Sequence, residues 1–81
     1  MSKHLGQGLL FFRGEVRACV GYVYRDFVRL HSDELRVLPV DFFVTFDGFA
    51  TVGKCRLDWR YRGAIGAVLE QWIDEPIDEL L

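Results

Sequence analysis

The stretch Lys54-Cys-Arg-Leu-Asp-Trp-Arg-Tyr-Arg62 alternates charged with uncharged residues: Lys54, Arg56, Asp58, Arg60 and Arg62 against Cys55, Leu57, Trp59 and Tyr61. Successive side chains of an extended backbone point to opposite faces, so the pattern predicts a β-strand with one side in a core and a basic side in solvent. A helix does not fit, because at 3.6 residues per turn the charges would encircle its axis.

Working outward, Arg62-Gly63 reads as a turn, and Ala64 to Leu69 as a closing strand of small and branched apolar residues. Upstream, Phe42, Val44 and Phe46 alternate with Phe43 and Thr45 and end at the turn dipeptide Asp47-Gly48, from which Ala50 to Tyr61 returns. Pro39 cannot donate to a ladder and marks a strand edge or loop. Near the start, Leu9 to Phe12 and Glu15 to Tyr24 flank Arg13-Gly14 as a hairpin, with Val16, Ala18, Val20, Tyr22 and Tyr24 on its apolar side. That parity continues through Val28 and Leu30 but meets Asp26, which predicts a bend or bulge at Arg25-Asp26. His31 to Glu34 reads as a turn. About six strands separated by frequent turns predict an all-β fold, a small closed antiparallel barrel over about residues 8–70, since closure removes exposed edges.

Composition agrees with one domain. At 81 residues the chain buries somewhat over ~60% of its unfolded surface, and 51% hydrophobic residues supply a core and argue against disorder. The uncharged runs are shorter than a spanning helix needs, and Met1 to Leu10 lacks the apolar region of a cleavable signal, so a cytoplasmic chain without a membrane span is expected. Net charge is −2, unevenly distributed: residues 1–62 carry ten basic and seven acidic side chains, and residues 63–81 carry none and five. A pI near 5.6 argues against general nucleic-acid binding. In the acidic tail, residues 71–81, Ile73, Ile77 and Leu80 fall at helical spacing behind acids and Pro76, the signature of a short C-terminal helix.

Catalytic chemistry finds no constellation. The hydroxyls Ser2, Ser32, Thr45 and Thr51 are not grouped by spacing with His4 or His31, the only imidazoles. Asp26, Asp33 and Glu34 read as solvated turn acids, and Gly6 and Gly8 form a GxG that follows no strand and precedes no helix. An enzyme is not expected, nor a cofactor. Cys19 and Cys55 have no metal-ligand spacing and read as reduced, half-buried thiols, with a bridge open to them only if their strands are neighbours. A zinc site would have to recruit His4 and His31 from distant positions. Two features have binding content: the basic face of Lys54, Arg56, Arg60 and Arg62, whose guanidiniums can grip phosphates bidentately, and the aromatics Phe11, Phe12, Phe42, Phe43, Trp59 and Trp72, which stack on bases if exposed and otherwise form core.

Cys55-Arg-Leu-Asp-Trp-Arg60 followed by Ile65-Gly-Ala-Val68 resembles the closing half of a PilZ domain, especially its short single-domain forms. Leu38-Pro39 with Phe42 to Gly48 resembles the preceding proline, strand and turn, and Gly8 to Phe12 with the strand around Cys19 resembles the opening hairpin. The resemblance covers most of residues 8–70 and implies a six-stranded barrel. Many members of that family are cytoplasmic receptors for the bacterial messenger cyclic di-GMP, gripped by an RxxxR motif in a segment before the first strand and by a DxSxxG motif on the barrel surface. Here Arg13-Gly-Glu-Val-Arg17 fits RxxxR but lies in the hairpin turn, and the leader Met1 to Gln7 has Lys3 as its single Lys or Arg. Aligned on Cys19, the second motif would fall on Val23, Arg25 and Val28; aligned on Asp26, on Val28 and His31. Neither register preserves it. The resemblance therefore implies a signalling adaptor with degenerate motifs, working through contact with an unidentified protein, a homo-oligomer included. The alternative is a divergent receptor for cyclic di-GMP or another nucleotide that uses Arg13, Arg17, Lys54, Arg56, Arg60 and Arg62.

Overall fold

The computed structural model describes residues 3–32 and 37–74. Six strands, β1 (Lys3–Phe12), β2 (Glu15–Tyr24), β3 (Phe27–His31), β4 (Asp41–Thr45), β5 (Val52–Tyr61) and β6 (Ala64–Ile73), close into an antiparallel barrel. Around the ring the order is β1-β2-β3-β6-β5-β4. The all-β barrel expected from turn spacing and alternation is the fold observed. β6 runs past Leu69 to Ile73, so the helical spacing read in the tail begins on a strand residue, and Ile77 and Leu80 lie outside the described residues.

Three two-residue turns build the hairpins: Arg13-Gly14, Arg25-Asp26 and Arg62-Gly63, closed by the pairs Phe12↔Glu15, Tyr24↔Phe27 and Tyr61↔Ala64. In each, the arginine adopts a left-handed backbone, with φ of 47°, 59° and 56°, the conformation whose twist matches that of the flanking strands. Arg25-Asp26 is thus a full reversal rather than a bend or bulge within one strand.

That reversal corrects the facing of β2. Cys19 and Val23 are buried, whereas Val16, Val20 and Tyr24, on the side read as apolar and inward, are exposed. Because Tyr24 pairs with Phe27 and Val23 with Val28, partners across the turn differ in odd-even parity. Val28 and Leu30 point inward together with the odd-numbered residues of β2. Extending one parity through the turn assigns the wrong side to β2.

The facing of β5 is corrected too. Its pairing with β6 shifts register between Lys54 and Cys55 and between Leu57 and Trp59. These irregularities are β-bulges, which bend a strand and re-aim its side chains. Leu57 opposes the buried Ala67, but Trp59 opposes Gly66 and Arg60 opposes the buried Ile65. After the second bulge Trp59 lies outside, 37% exposed, and Tyr61 is exposed, where unbroken alternation places both in the core.

Leu10, Phe12, Cys19, Val23, Val28, Leu30, Phe42, Val44, Cys55, Ile65 and Ala67 fill the interior, with Trp72 packed against them. Phe11 and Val52 form a second cluster with Phe43 and Phe49, in which the Phe11 ring lies 5.3 Å from those of Phe43 and Phe49. Of the aromatics weighed for stacking, only Trp59 is on the outer surface in quantity; the others are packed.

Cys19 and Cys55 are buried and free, on strands that are not neighbours in the ring. Burial pushes their thiols up to about 11 and about 12, with the Glu70 carboxylate adding to the rise at Cys55. Both stay neutral in the folded barrel at pH 8, so a thiol reagent is expected to modify them at the rate of unfolding; instant labelling of either in native protein would contradict this. Folded pKa values raised above the ordinary thiol value also set a sign. The contribution is fully present below pH ~9 and is lost as pH rises from there through the folded values.

Candidate functional site

The cations singled out in the sequence do not converge. Arg13 occupies the β1–β2 turn, and Arg17 donates to the Val16 carbonyl at 2.9 Å and to the Glu15 carboxylate at 3.2 Å. Lys54 is half-buried opposite Phe43, and Arg56 lies 3.9 Å from the Glu70 carboxylate. Arg60 donates from Nε to the Arg62 carbonyl at 3.5 Å, and Arg62 lies over the Tyr61 ring at 5.3 Å. In the ring order, β1 with β2 and β5 with β6 form opposite walls. The two hairpins therefore hold their arginines across the width of the barrel, and the bulge at Asp58 turns Arg60 away from the side of Lys54 and Arg56.

The outer surface of β2, β3 and β6 has a more continuous character. Tyr24 pairs with Phe27, and Phe27 with Val68; one step along, Tyr22 pairs with Arg29, Arg29 with Gly66, and Gly66 with Trp59. Cross-strand neighbours on one face of a sheet are about 5 Å apart, so these two rows make one patch. Val20 extends it. Phe27 is 59% exposed and Val20 47%, and a shallow concavity is lined by Tyr22, Tyr24, Phe27 and Arg29. Gly66 is required here: a Cβ on it would stand 2.1 Å from the indole Nε1 of Trp59, whose ring packs closely on the bare backbone. Arg29 covers that ring at 5.2 Å, and Arg25 the Tyr24 ring at 5.4 Å. These cation–π contacts hold guanidiniums against an apolar surface and keep them in reach of an incoming anion.

A second concavity, an open cleft of about 580 Å³, crosses β1 and β2 between Thr45–Gly48 and His31–Ser32. Its two hydroxyls are engaged within the fold. The Ser32 hydroxyl donates to the Ala18 carbonyl at 2.8 Å. The buried Thr45 hydroxyl accepts from the Phe49 amide at 3.0 Å, and its single proton serves either the Thr51 carbonyl at 2.7 Å or Asp47 Oδ1 at 3.0 Å. The Asp47 carboxylate in turn accepts from the Thr51 amide at 2.9 Å and the Thr51 hydroxyl at 2.5 Å. This network ties the β4–β5 connection together. Ser32 and Thr45, weighed as candidate hydroxyls, have structural partners.

The parity reading hides Val20, Tyr22 and Tyr24 by placing the even members of β2 inside, and Phe27 and Arg29, outside on either reading, belong to no motif. A two-residue turn at Arg25-Asp26 was the signal that would have exposed the three on β2. Among the described residues, no group of three or more His, Cys, Asp and Glu side chains could hold a metal ion, and no helix is long and apolar enough to cross a membrane. No protein-family model, curated protein or solved structure matches the chain.

Proposed function

We propose that this chain is a PilZ-like signalling barrel that works by binding a protein on the outer face of β2, β3 and β6, and not by gripping cyclic di-GMP through the usual motifs. The observation that carries the reading is the contiguous outer patch in which exposed Tyr24, Phe27, Arg29 and Trp59 adjoin half-buried Tyr22 and Val68. Rigid aromatics with arginine are the residue types enriched in the energetic centres of protein interfaces. Exposed on strands, they are held in place before a partner arrives, which limits the ordering cost of association.

The dispersion of Arg13, Arg17, Lys54, Arg56, Arg60 and Arg62 over opposite walls supports the same choice, since a nucleotide phosphate needs several donors converging on it. Two measurements test the reading. Calorimetric titration with cyclic di-GMP at low salt is expected to be flat and the melting temperature unchanged. Saturable binding, with the stabilisation of roughly 2.7 kcal/mol that a hundredfold excess over the dissociation constant produces, would overturn it. Capture of binding partners by the immobilised chain is expected to be lost in Phe27→Ser; equal capture by both would move the interface elsewhere.

A further inference from the structure

We infer that the protein bound on this face presents an extended acidic segment, whose carboxylates meet the guanidiniums of Arg25, Arg29 and Arg62 while an apolar side chain seats on Phe27. The inference rests on the protein-contact reading and names the chemistry of its partner.

The strand pairing extends the face by a third row and a fourth strand. Val20 pairs with His31, His31 with Ala64, and Ala64 with Tyr61, which is 67% exposed. Tyr61, Trp59 and Arg56 thus border the face from β5, opposite Ala64, Gly66 and Val68 of β6. At three levels an aromatic ring carries a guanidinium: Arg25 on Tyr24 at 5.4 Å, Arg29 on Trp59 at 5.2 Å and Arg62 on Tyr61 at 5.3 Å. All three arginines are exposed. Among the described residues the ion pairs are Arg17 with Glu15 and Arg56 with Glu70. The acids of this wall, Asp26, Asp58 and Glu70, therefore leave the three guanidiniums without a carboxylate. A guanidinium laid on a ring keeps its N–H edge for a planar acceptor, and a carboxylate matches that fork. Stacking also orders the arginine before a partner arrives, which lowers the cost of association.

Spacing selects the shape of the partner. Successive rows are two residues apart along a strand, about 6.7 Å. From the level of Phe27, beside Arg25, through Arg29 to the level of His31 and Tyr61, beside Arg62, the face runs four residues, about 13 Å. The guanidiniums are strung along that length and do not gather at one point. Side chains on one side of an extended peptide recur at the same interval of about 6.7 Å, so alternate acids fall in step with the arginines, and Phe27 offers the apolar contact beside them. A second copy of this chain is the wrong occupant, because an isologous pairing through this face sets like guanidiniums against one another.

The probe is a short synthetic peptide of glutamates flanking one leucine, titrated into the full chain at low salt and followed by amide and indole NMR. Saturable shifts are expected at Tyr24, Phe27, Arg29 and Tyr61 and at the Trp59 indole. The glutamine analogue of the peptide is expected to bind at least about tenfold more weakly, through loss of charge-assisted hydrogen bonds. Arg29→Gln is expected to weaken binding about tenfold as well, and Arg13→Gln, on the opposite wall, to leave it unchanged. Arg25→Glu combined with Arg29→Glu is expected to transfer the preference to the lysine analogue, with preserved amide dispersion showing that the variant is folded. A flat titration, shifts centred on Arg13 and Arg17, tighter binding of a single-stranded oligonucleotide at the same residues, or the same shifts produced by raising protein concentration alone would each overturn the proposal. If the peptide fails while Phe27-dependent partner capture persists, the acidic assignment falls and the protein-contact reading stands; loss of Phe27-dependent capture as well removes the reading beneath it.

Discussion

Gly21→Ala is expected to unfold the barrel or to destabilise it by at least about 3 kcal/mol, the upper end of what overpacking costs. A Cβ at Gly21 would stand 2.1 Å from the Arg29 carbonyl oxygen and 2.9 Å from the Leu30 Cα. Both are backbone atoms of the neighbouring strand, and no rotamer change moves them aside. Gly21 pairs with Gly6 on β1 and with Leu30 on β3, and Gly6 has φ of 131°, a value that L side chains rarely adopt. These paired glycines let three strands curve closely enough for the ring to close. Relief would require separating β2 from β3, which breaks the wall that carries the proposed interface. Since a domain of this length has a net stability of roughly 4–12 kcal/mol, urea unfolding followed by circular dichroism decides the matter. A midpoint close to that of the unsubstituted chain would show that the wall can yield.

Phe42→Ala is the second large effect. The ring is fully buried in the main cluster, facing the interior from β4, where its cross-strand partner is the buried Cys55 and Val44 follows it on the same side of its own strand. Removal of a buried phenylalanine costs about 3–5 kcal/mol through lost transfer energy and the cavity left behind. Phe42→Leu, which retains most of the volume, is expected to cost about 1 kcal/mol. The comparison that isolates burial is Phe43→Ala, one residue away on the outer side of the same strand, where the half-buried ring packs on Phe11. Its cost is expected to be smaller. Equal losses at Phe42 and Phe43 would show that the outer cluster supports the fold as much as the barrel interior does.

Strand existence was legible where alternation met turn chemistry. Phe42 and Val44, inward on the sequence reading, are both buried, and each Arg-Gly dipeptide, at 13–14 and 62–63, closes a hairpin. What misled the reading was inferring a face from parity across a turn or a bulge. Around Arg25-Asp26 the odd-even sense reverses between β2 and β3, and around Asp58 one extra residue re-aims Trp59 and Arg60. Alternation repeats every two residues, so a one-residue register change exchanges the two sides. Hydrophobicity could not correct the error, because Val16, Val20 and Tyr24 are as apolar as the residues that are buried. The candidate arginines were legible as residues, but whether they gather depended on the ring order.

By itself, the sequence determined that this chain is all-β, that hairpins turn at Arg13-Gly14 and Arg62-Gly63 and that its charge is divided between a basic body and an acidic end. These properties depend on local backbone preference and on composition, and are complete within a few residues or a simple sum. Only the tertiary structure decided which side of β2 faces water, that Trp59 lies outside on Gly66, that the arginines of the two hairpins stand on opposite walls, and that Tyr24, Phe27, Val68, Arg29 and Trp59 share one surface. Those outcomes depend on pairing between residues as far apart as Phe27 and Val68, and such pairings are set by closing the ring, where every register must agree with its neighbours at once.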